Sequence, residues 1–210
     1  MDVRITGRNG VHMKKQIIGI TGGVGCGKSV VMDILEKEYG AYVLLADSVG
    51  HELMKPGEAN YNGIVEYFGT DILDENGEID RRRLGARVFG YDTQLKALND
   101  ITHPNIINEI RNRLQSAMDN PEVPLVCLES AILLDTELHT FCDTIWYVFA
   151  NEEVRIERLM AGRGYTEEYC KMVMYKQKGE DFYKNKSNVI IDNSGSVEET
   201  IRQLAELLKS

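Results

Sequence analysis

Residues 22–29 read Gly-Gly-Val-Gly-Cys-Gly-Lys-Ser and follow directly on the apolar run Gln16–Thr21 (QIIGIT). The spacing G-x-x-x-x-G-K-S constrains this chain more than any other segment. It demands a buried strand that turns abruptly into a helix through glycine-rich backbone. Successive N–H groups of such a turn point inward as an anion nest, and the helix that starts at Lys28 aims its positive end at the same point. Gly23, Val24, Gly25, Cys26, Gly27, Lys28, Ser29 and Val30 are therefore expected against nucleotide phosphates. Lys28 bridges the β- and γ-phosphates, and the Ser29 hydroxyl is offered to Mg²⁺.

The rest of the chain alternates in the same style. Short apolar runs at Gln16–Thr21, Tyr42–Ala46, Pro124–Leu128, Thr144–Phe149 and Asn188–Ile191 read as strands covered on both faces, as in a parallel sheet. Helical patterns fall at Lys28–Tyr39, Val49–Met54, Asn60–Phe68, Arg81–Phe89, Pro104–Met118, Glu152–Ala161, Thr166–Lys178 and Val197–Leu208, the last with Ser196 and Glu199 spaced as a capping box. The gap between the second and third strands is far longer than one crossover needs. The expected fold is α/β: a five-stranded, doubly wound parallel sheet with two helical outgrowths. Residues 1–12 show no apolar period and read as an unstructured leader. Residues 13–210 form one domain, with core segments at 13–55, 120–153 and 187–210 and outgrowths at about 56–119 and 154–186.

Composition excludes several classes. At 43% hydrophobic and 27% charged residues, the chain is neither disordered nor of low complexity. Apolar stretches such as Ile145–Ala150 are much shorter than a membrane span. A net charge of −9 speaks against nucleic acid or an anionic membrane as partner. Two segments run against that sign. Residues 81–113 hold seven Lys/Arg and three Asp/Glu, and residues 155–186 hold eight and five. They suit either a compact anionic ligand or solvated helix faces. Four scattered cysteines show no ligand or disulfide spacing, which points to reduced thiols and a cytoplasmic location.

Outside the loop, several residues are candidates. Asp47 follows the second strand, where a carboxylate can orient and deprotonate an attacking hydroxyl. The same residue could equally cap the next helix. Glu129, at the end of the third strand, is a candidate Mg²⁺ ligand, with Asp135 a weaker one; both could be caps or loop anions. His103 precedes Pro104 at an expected helix start and could be a cap or a packed side chain. Arg81, Arg111, Arg155, Arg158 and Arg163 have the fork geometry that clamps phosphates, although each alone reads equally as a surface residue.

These segments together resemble the dephospho-coenzyme A kinase family over nearly the whole chain from about Lys15. The segments that carry the resemblance are IIGITGGVGCGKS, LLADSVGHELMKPG, FGTDILDENGEIDRRRL, LNDITHPNI, the Arg158…Arg163…Gln177 stretch and VIIDNSGS. The resemblance implies a phosphate-loop kinase fold and transfer of the γ-phosphate of ATP, with Mg²⁺, to the ribose 3′-hydroxyl of dephospho-coenzyme A. It makes Asp47 the hydroxyl-activating group. It makes the first outgrowth, with Arg81, His103 and Arg111, the acceptor-binding part, and the second a lid whose Arg158 and Arg163 meet ATP. Asn193 and Gly195 then lie near the adenine. No nucleic acid, membrane or obligate protein partner is implied. Arg158 and Arg163 lie five apart where the family usually has four, and Arg155 stands where Gln is common. The rival readings are another small-molecule or nucleoside monophosphate kinase, and a GTP-binding switch. The switch is disfavoured because Asn185-Lys186-Ser187 is followed by Asn188, where guanine readers carry Asp.

Overall fold

A computed structural model describes residues 4–6 and 12–209. The chain opens with a small antiparallel ribbon, β1 (Arg4–Thr6) against β2 (His12–Lys14). The leader expected to be unstructured thus contributes a strand, while residues 1–3 and 7–11 lie outside the described residues. The missed signal is period-two alternation on either side of a Gly-Arg-Asn-Gly segment, the pattern of a hairpin.

The main sheet has five strands: β3 (Ile17–Thr21), β4 (Tyr42–Leu45), β5 (Val126–Glu129), β6 (Thr144–Phe149) and β7 (Val189–Asp192). Their spatial order is β4-β5-β3-β6-β7, and β3 pairs in parallel with both β5 and β6. The helices are α1 (Lys28–Tyr39), α2 (Ala46–Glu52), α3 (Ala59–Phe68), α4 (Arg81–Val88), α5 (Asp92–Asp119), α6 (Glu152–Arg163), α7 (Glu167–Tyr175), α8 (Glu180–Lys186) and α9 (Val197–Lys209). The expected α/β parallel sheet is therefore observed. Alternation sends Ile18 and Ile20 of β3, with Trp146 and Val148 of β6, to one face. There they pack with Val31 and Leu35 of α1 and Leu204 and Leu208 of α9. Among the described residues no helix is long and apolar enough to cross a membrane.

The chain divides into two compact units, Met1–Leu44 with Leu114–Ser210, and Leu45–Arg113. The second unit overlaps the first outgrowth expected at about 56–119. Its own core is Ile64, Ile72 and Leu84, with Phe68, Leu98 and Ile101 packed against them. The turn-rich stretch after α3 is pinned by Asp74, whose Oδ1 accepts the N–H groups of Asn76 and Glu78, both at 2.9 Å.

Two helices depart from expectation. His103-Pro104 does not begin a helix but lies inside the 28-residue α5. Proline disfavours that position, yet burial of Leu98 and Ile101 outweighs it. Near the break, Thr102 Oγ1 donates to Leu98 O at 2.9 Å and Asn105 Nδ2 to Ile101 O at 3.1 Å. The seven-residue α8 gives no strong periodic signal; it forms around the buried Tyr183.

Candidate active site

β3 runs into the glycine loop and α1 starts at Lys28, as the motif requires. Gly27 is the residue before α1, held at φ 85°, a left-handed conformation that a side chain makes costly. No side chain caps α1, which leaves its N-terminus to an anion. Val30 N–H is already engaged with Gly27 O at 3.0 Å, so Val30 adds a side chain beside the site rather than an amide to it. The Lys28 ammonium folds back, donating to Gly22 O at 3.0 Å and lying 3.5 Å from Glu129 Oε1. The ends of β3 and β5 thus bring the loop lysine and the candidate metal carboxylate together.

Helix α6 grips the loop from the outside. Arg155 Nε donates to Val24 O at 2.8 Å, and its Nη2 donates to Gln177 Oε1 at 3.1 Å. Gln177 Oε1 also accepts Val24 N–H at 2.9 Å, so the Val24 residue is held through both its polar backbone groups. The position a Cβ on Gly23 would take is consequently occupied: it would lie 2.5 Å from Arg155 Nη2. Sequence reasoning offered Arg155 as one of five candidate phosphate-clamping arginines; the structure instead shows it on the loop backbone and on Gln177. Gln177 was left out of the site, its only signal being membership of the family-like stretch.

Arg158 Nη2 donates to Asn193 O at 2.9 Å, and Nη1 to Cys26 O at 3.4 Å. Asn193 is 1% exposed; its Nδ2 donates to Cys26 O at 2.9 Å and its Oδ1 accepts from Thr200 Oγ1 at 2.8 Å. Both polar ends of the Asn193 side chain are therefore engaged, Nδ2 bracing the loop from behind and Oδ1 tied to α9. Gly195 sits just before α9, where a Cβ would collide with Glu199. The capping box formed there has Ser196 N–H donating to Glu199 Oε2 at 3.0 Å and Glu199 N–H to Ser196 Oγ at 3.3 Å. Arg163 ends α6 and lies 5.9 Å from the Tyr165 ring centroid, with no hydrogen bond to the loop.

A Cβ on Gly27 would collide with Asn193 Nδ2 as well as strain the backbone. Gly27→Ala is expected to cost about 2–4 kcal/mol from the left-handed conformation and the disturbed amide. Thermal unfolding should then fall by roughly 5–15 °C, with weaker ATP binding. An unchanged melting temperature would refute the bracing role. Cys26 is 2% exposed, and burial pushes its thiol above the usual range despite nearby Lys28. The thiolate is the reactive form, so iodoacetamide at pH 7.5 should label Cys26 at least about tenfold more slowly than an exposed thiol. Rapid labelling with loss of ATP binding would contradict this.

In the second unit, α2 follows β4 by connectivity, and Leu45 is its N-cap. Asp47 lies in the first turn of α2, exposed, with no side-chain partner among the described residues. The cap reading is therefore set aside. Asp80, by contrast, is a true N-cap: its Oδ1 accepts from Arg82 and Arg83 N–H at 2.8 and 3.2 Å. Those bonds hold its carboxyl below the usual range and set Arg81 as the first residue of α4. His103 and Arg111 lie on α5, both exposed, with Arg111 Nη1 donating to Asn108 Oδ1 at 3.1 Å. Asp47, Arg81, His103 and Arg111 thus all belong to the Leu45–Arg113 unit.

Beside Gly23, within the first unit, opens a cleft of about 900 Å³ walled by β6, α6, α7 and α8. A parallel sheet whose first strand turns through a phosphate loop into an uncapped helix, with a basic helical segment gripping that loop, defines a phosphate-loop kinase fold. The dephospho-CoA kinase family model matches residues 16–199. A dephospho-CoA kinase of Carboxydothermus hydrogenoformans is 35% identical over 193 residues, covering 92% of this chain and 93% of that one. Protein TT1252 of Thermus thermophilus superposes with a TM-score of 0.75 at 29% identity, covering 92% of this chain and 96% of that one. The dephospho-CoA kinase of Campylobacter jejuni shares the fold, with a TM-score of 0.64 at 22% identity over 93% of this chain and 99% of that one. The chain belongs to the dephospho-CoA kinase family.

Proposed function

We propose that the protein transfers the γ-phosphoryl group of ATP to the ribose 3′-hydroxyl of dephospho-CoA, giving CoA and ADP in the cytoplasm. The observation that carries this reading is an intact phosphate loop, with Lys28 and Ser29 in place, inside a chain whose residues 16–199 match the family. The loop amides and the N-terminus of α1 hold the donor phosphates. Lys28 exchanges its contacts with Gly22 and Glu129 for phosphate oxygens and follows the charge that develops in transfer. Asp47 orients the acceptor hydroxyl and accepts its proton. Arg81, His103 and Arg111 serve the acceptor. The α6–α8 segment closes over the nucleotide through Arg158 and Arg163, excluding water that would otherwise hydrolyse ATP.

Hard oxygen donors suit Mg²⁺. The Ser29 hydroxyl is exposed on the first turn of α1 with no side-chain hydrogen bond among the described residues, and Glu129 stands across from Lys28. A metal held mainly by phosphates needs only one or two such protein ligands. Bound there by Ser29 and Glu129, it would neutralise charge on the β- and γ-phosphate oxygens.

Purified full-length protein should turn over ATP only when dephospho-CoA is supplied. Equal turnover with AMP, CMP or UMP would favour the monophosphate-kinase rival. Preference for GTP without acceptor dependence would favour a switch.

A further inference from the structure

Helix α2 carries Asp47 and is poorly built to stand alone. It has seven residues, no side-chain cap at Leu45, and Gly50 inside it. Two turns with an interior glycine do not hold themselves in water. Asp47 is exposed, so no packing of its own side chain fixes where the carboxylate points. Its direction is inherited from the helix. Turning α2 by about 20° would swing a carboxylate about 5 Å from the axis through about 2 Å. A displacement of that order is enough to spoil a proton transfer.

Contacts within the Leu45–Arg113 unit set that rotation. Ala46 and Val49 are buried, which gives α2 an inner face, but apolar burial has no preferred direction. A Cβ on Gly50 would lie 3.4 Å from Ile106 Cδ1, so the backbone of α2 passes close to α5 there. The directional contact comes at the end of α2. Arg113 of α5 places Nη2 2.7 Å from Oε2 of Glu52, the last residue of α2. Its Nε donates to Glu109 Oε1 at 2.6 Å, one turn back on α5, which holds the guanidinium in place. Ion pairs such as Lys37–Asp33 and Lys96–Asp100 join neighbours on one exposed helix face and hold little. Arg113 instead joins two helices, with only 30% of its side chain exposed. The planar fork makes such a tie sensitive to orientation.

We propose that Arg113 is a positioning residue: through Glu52 it fixes the rotation of α2 on α5, and so the direction of the Asp47 carboxylate. The proposal rests on the kinase reading above, in which Asp47 accepts the acceptor's proton. Arg113 spends Nε and Nη2 on the two carboxylates and acts on the reaction only through α2. Its effect therefore falls on the chemical step and not on the binding of either substrate. The basic segment at residues 81–113 thus ends on an arginine whose task is internal.

Steady-state kinetics of the full-length protein with ATP and dephospho-CoA test this. Arg113→Met and Glu52→Gln should each lower kcat about tenfold, with both KM values within about twofold of wild type. Glu52→Gln is nearly isosteric, so it carries the test if Arg113→Met folds poorly. Glu109→Gln, which leaves the tie to Glu52, should keep kcat within about twofold. In an Asp47→Asn background neither Arg113→Met nor Glu52→Gln should lower kcat further, because the group they orient is already gone. A lower melting temperature with wild-type kcat in both single variants would make the pair merely structural and overturn the proposal. A full further tenfold loss in the Asp47→Asn background would show that Arg113 acts on something other than Asp47 and overturn it too. Failure of the kinase reading looks different: the wild-type protein itself would not phosphorylate dephospho-CoA, and the positioning role would fall with it.

Discussion

Lys28→Ala is expected to lower kcat by about a thousandfold, a loss of roughly 4 kcal/mol of charge stabilisation in the transition state. The lysine is held in reserve, with its side chain 15% exposed between Gly22 O and Glu129. Removing it leaves a half-buried carboxylate without that counter-charge, so some loss of stability accompanies the kinetic effect. Lys28→Met keeps the packing of the stem and separates the two. A Met variant that melts like wild type yet turns over about a thousandfold more slowly supports the phosphate role. Near-normal turnover in either variant would remove the loop from the chemistry.

Asp47→Asn should lower kcat by about 10²–10⁴, the usual contribution of a positioned base. Because Leu45, not Asp47, is the N-cap of α2, no cap is lost. The first-turn charge contributes at most about 1 kcal/mol at an exposed position. The melting temperature should stay within a few degrees, and KM for both substrates should change little. A wild-type kcat would end the base role. If the transition state is loose, proton removal lags and the drop sits at the lower end of that range.

Sequence told most where one residue type answers one local demand. The motif Gly22–Ser29 located loop, strand and helix together, since only glycine tolerates backbone such as Gly27 at φ 85°. Continuous apolar runs located all five strands of the sheet to within two residues at either end. The box at Ser196 and Glu199 formed as read. What escaped is set by distant contacts. Gln177 looks like one polar residue among many, and Arg155 like one of five arginines that could meet phosphate, until α6 and the segment after α7 bring both to Val24. Asn193 entered the site only through the family resemblance; its side-chain bonds to Cys26 and Thr200 could not be read from the sequence. At Pro104 a local rule lost to the packing of Leu98 and Ile101.

The grip on the loop has a consequence for synthesis. Val24 is held by residues 131 and 153 positions later in the chain, and Cys26 by one 167 positions later. Such long closures are slow, local glycine geometry notwithstanding. An emerging chain carries the whole motif once its first thirty residues are out, but not the side chains that shape it. A ribosome-bound fragment ending before Asn193 should therefore fail to retain ATP. On that expectation competence waits for Asn193 and the helix that follows it, and an unfinished copy leaves nucleotide alone.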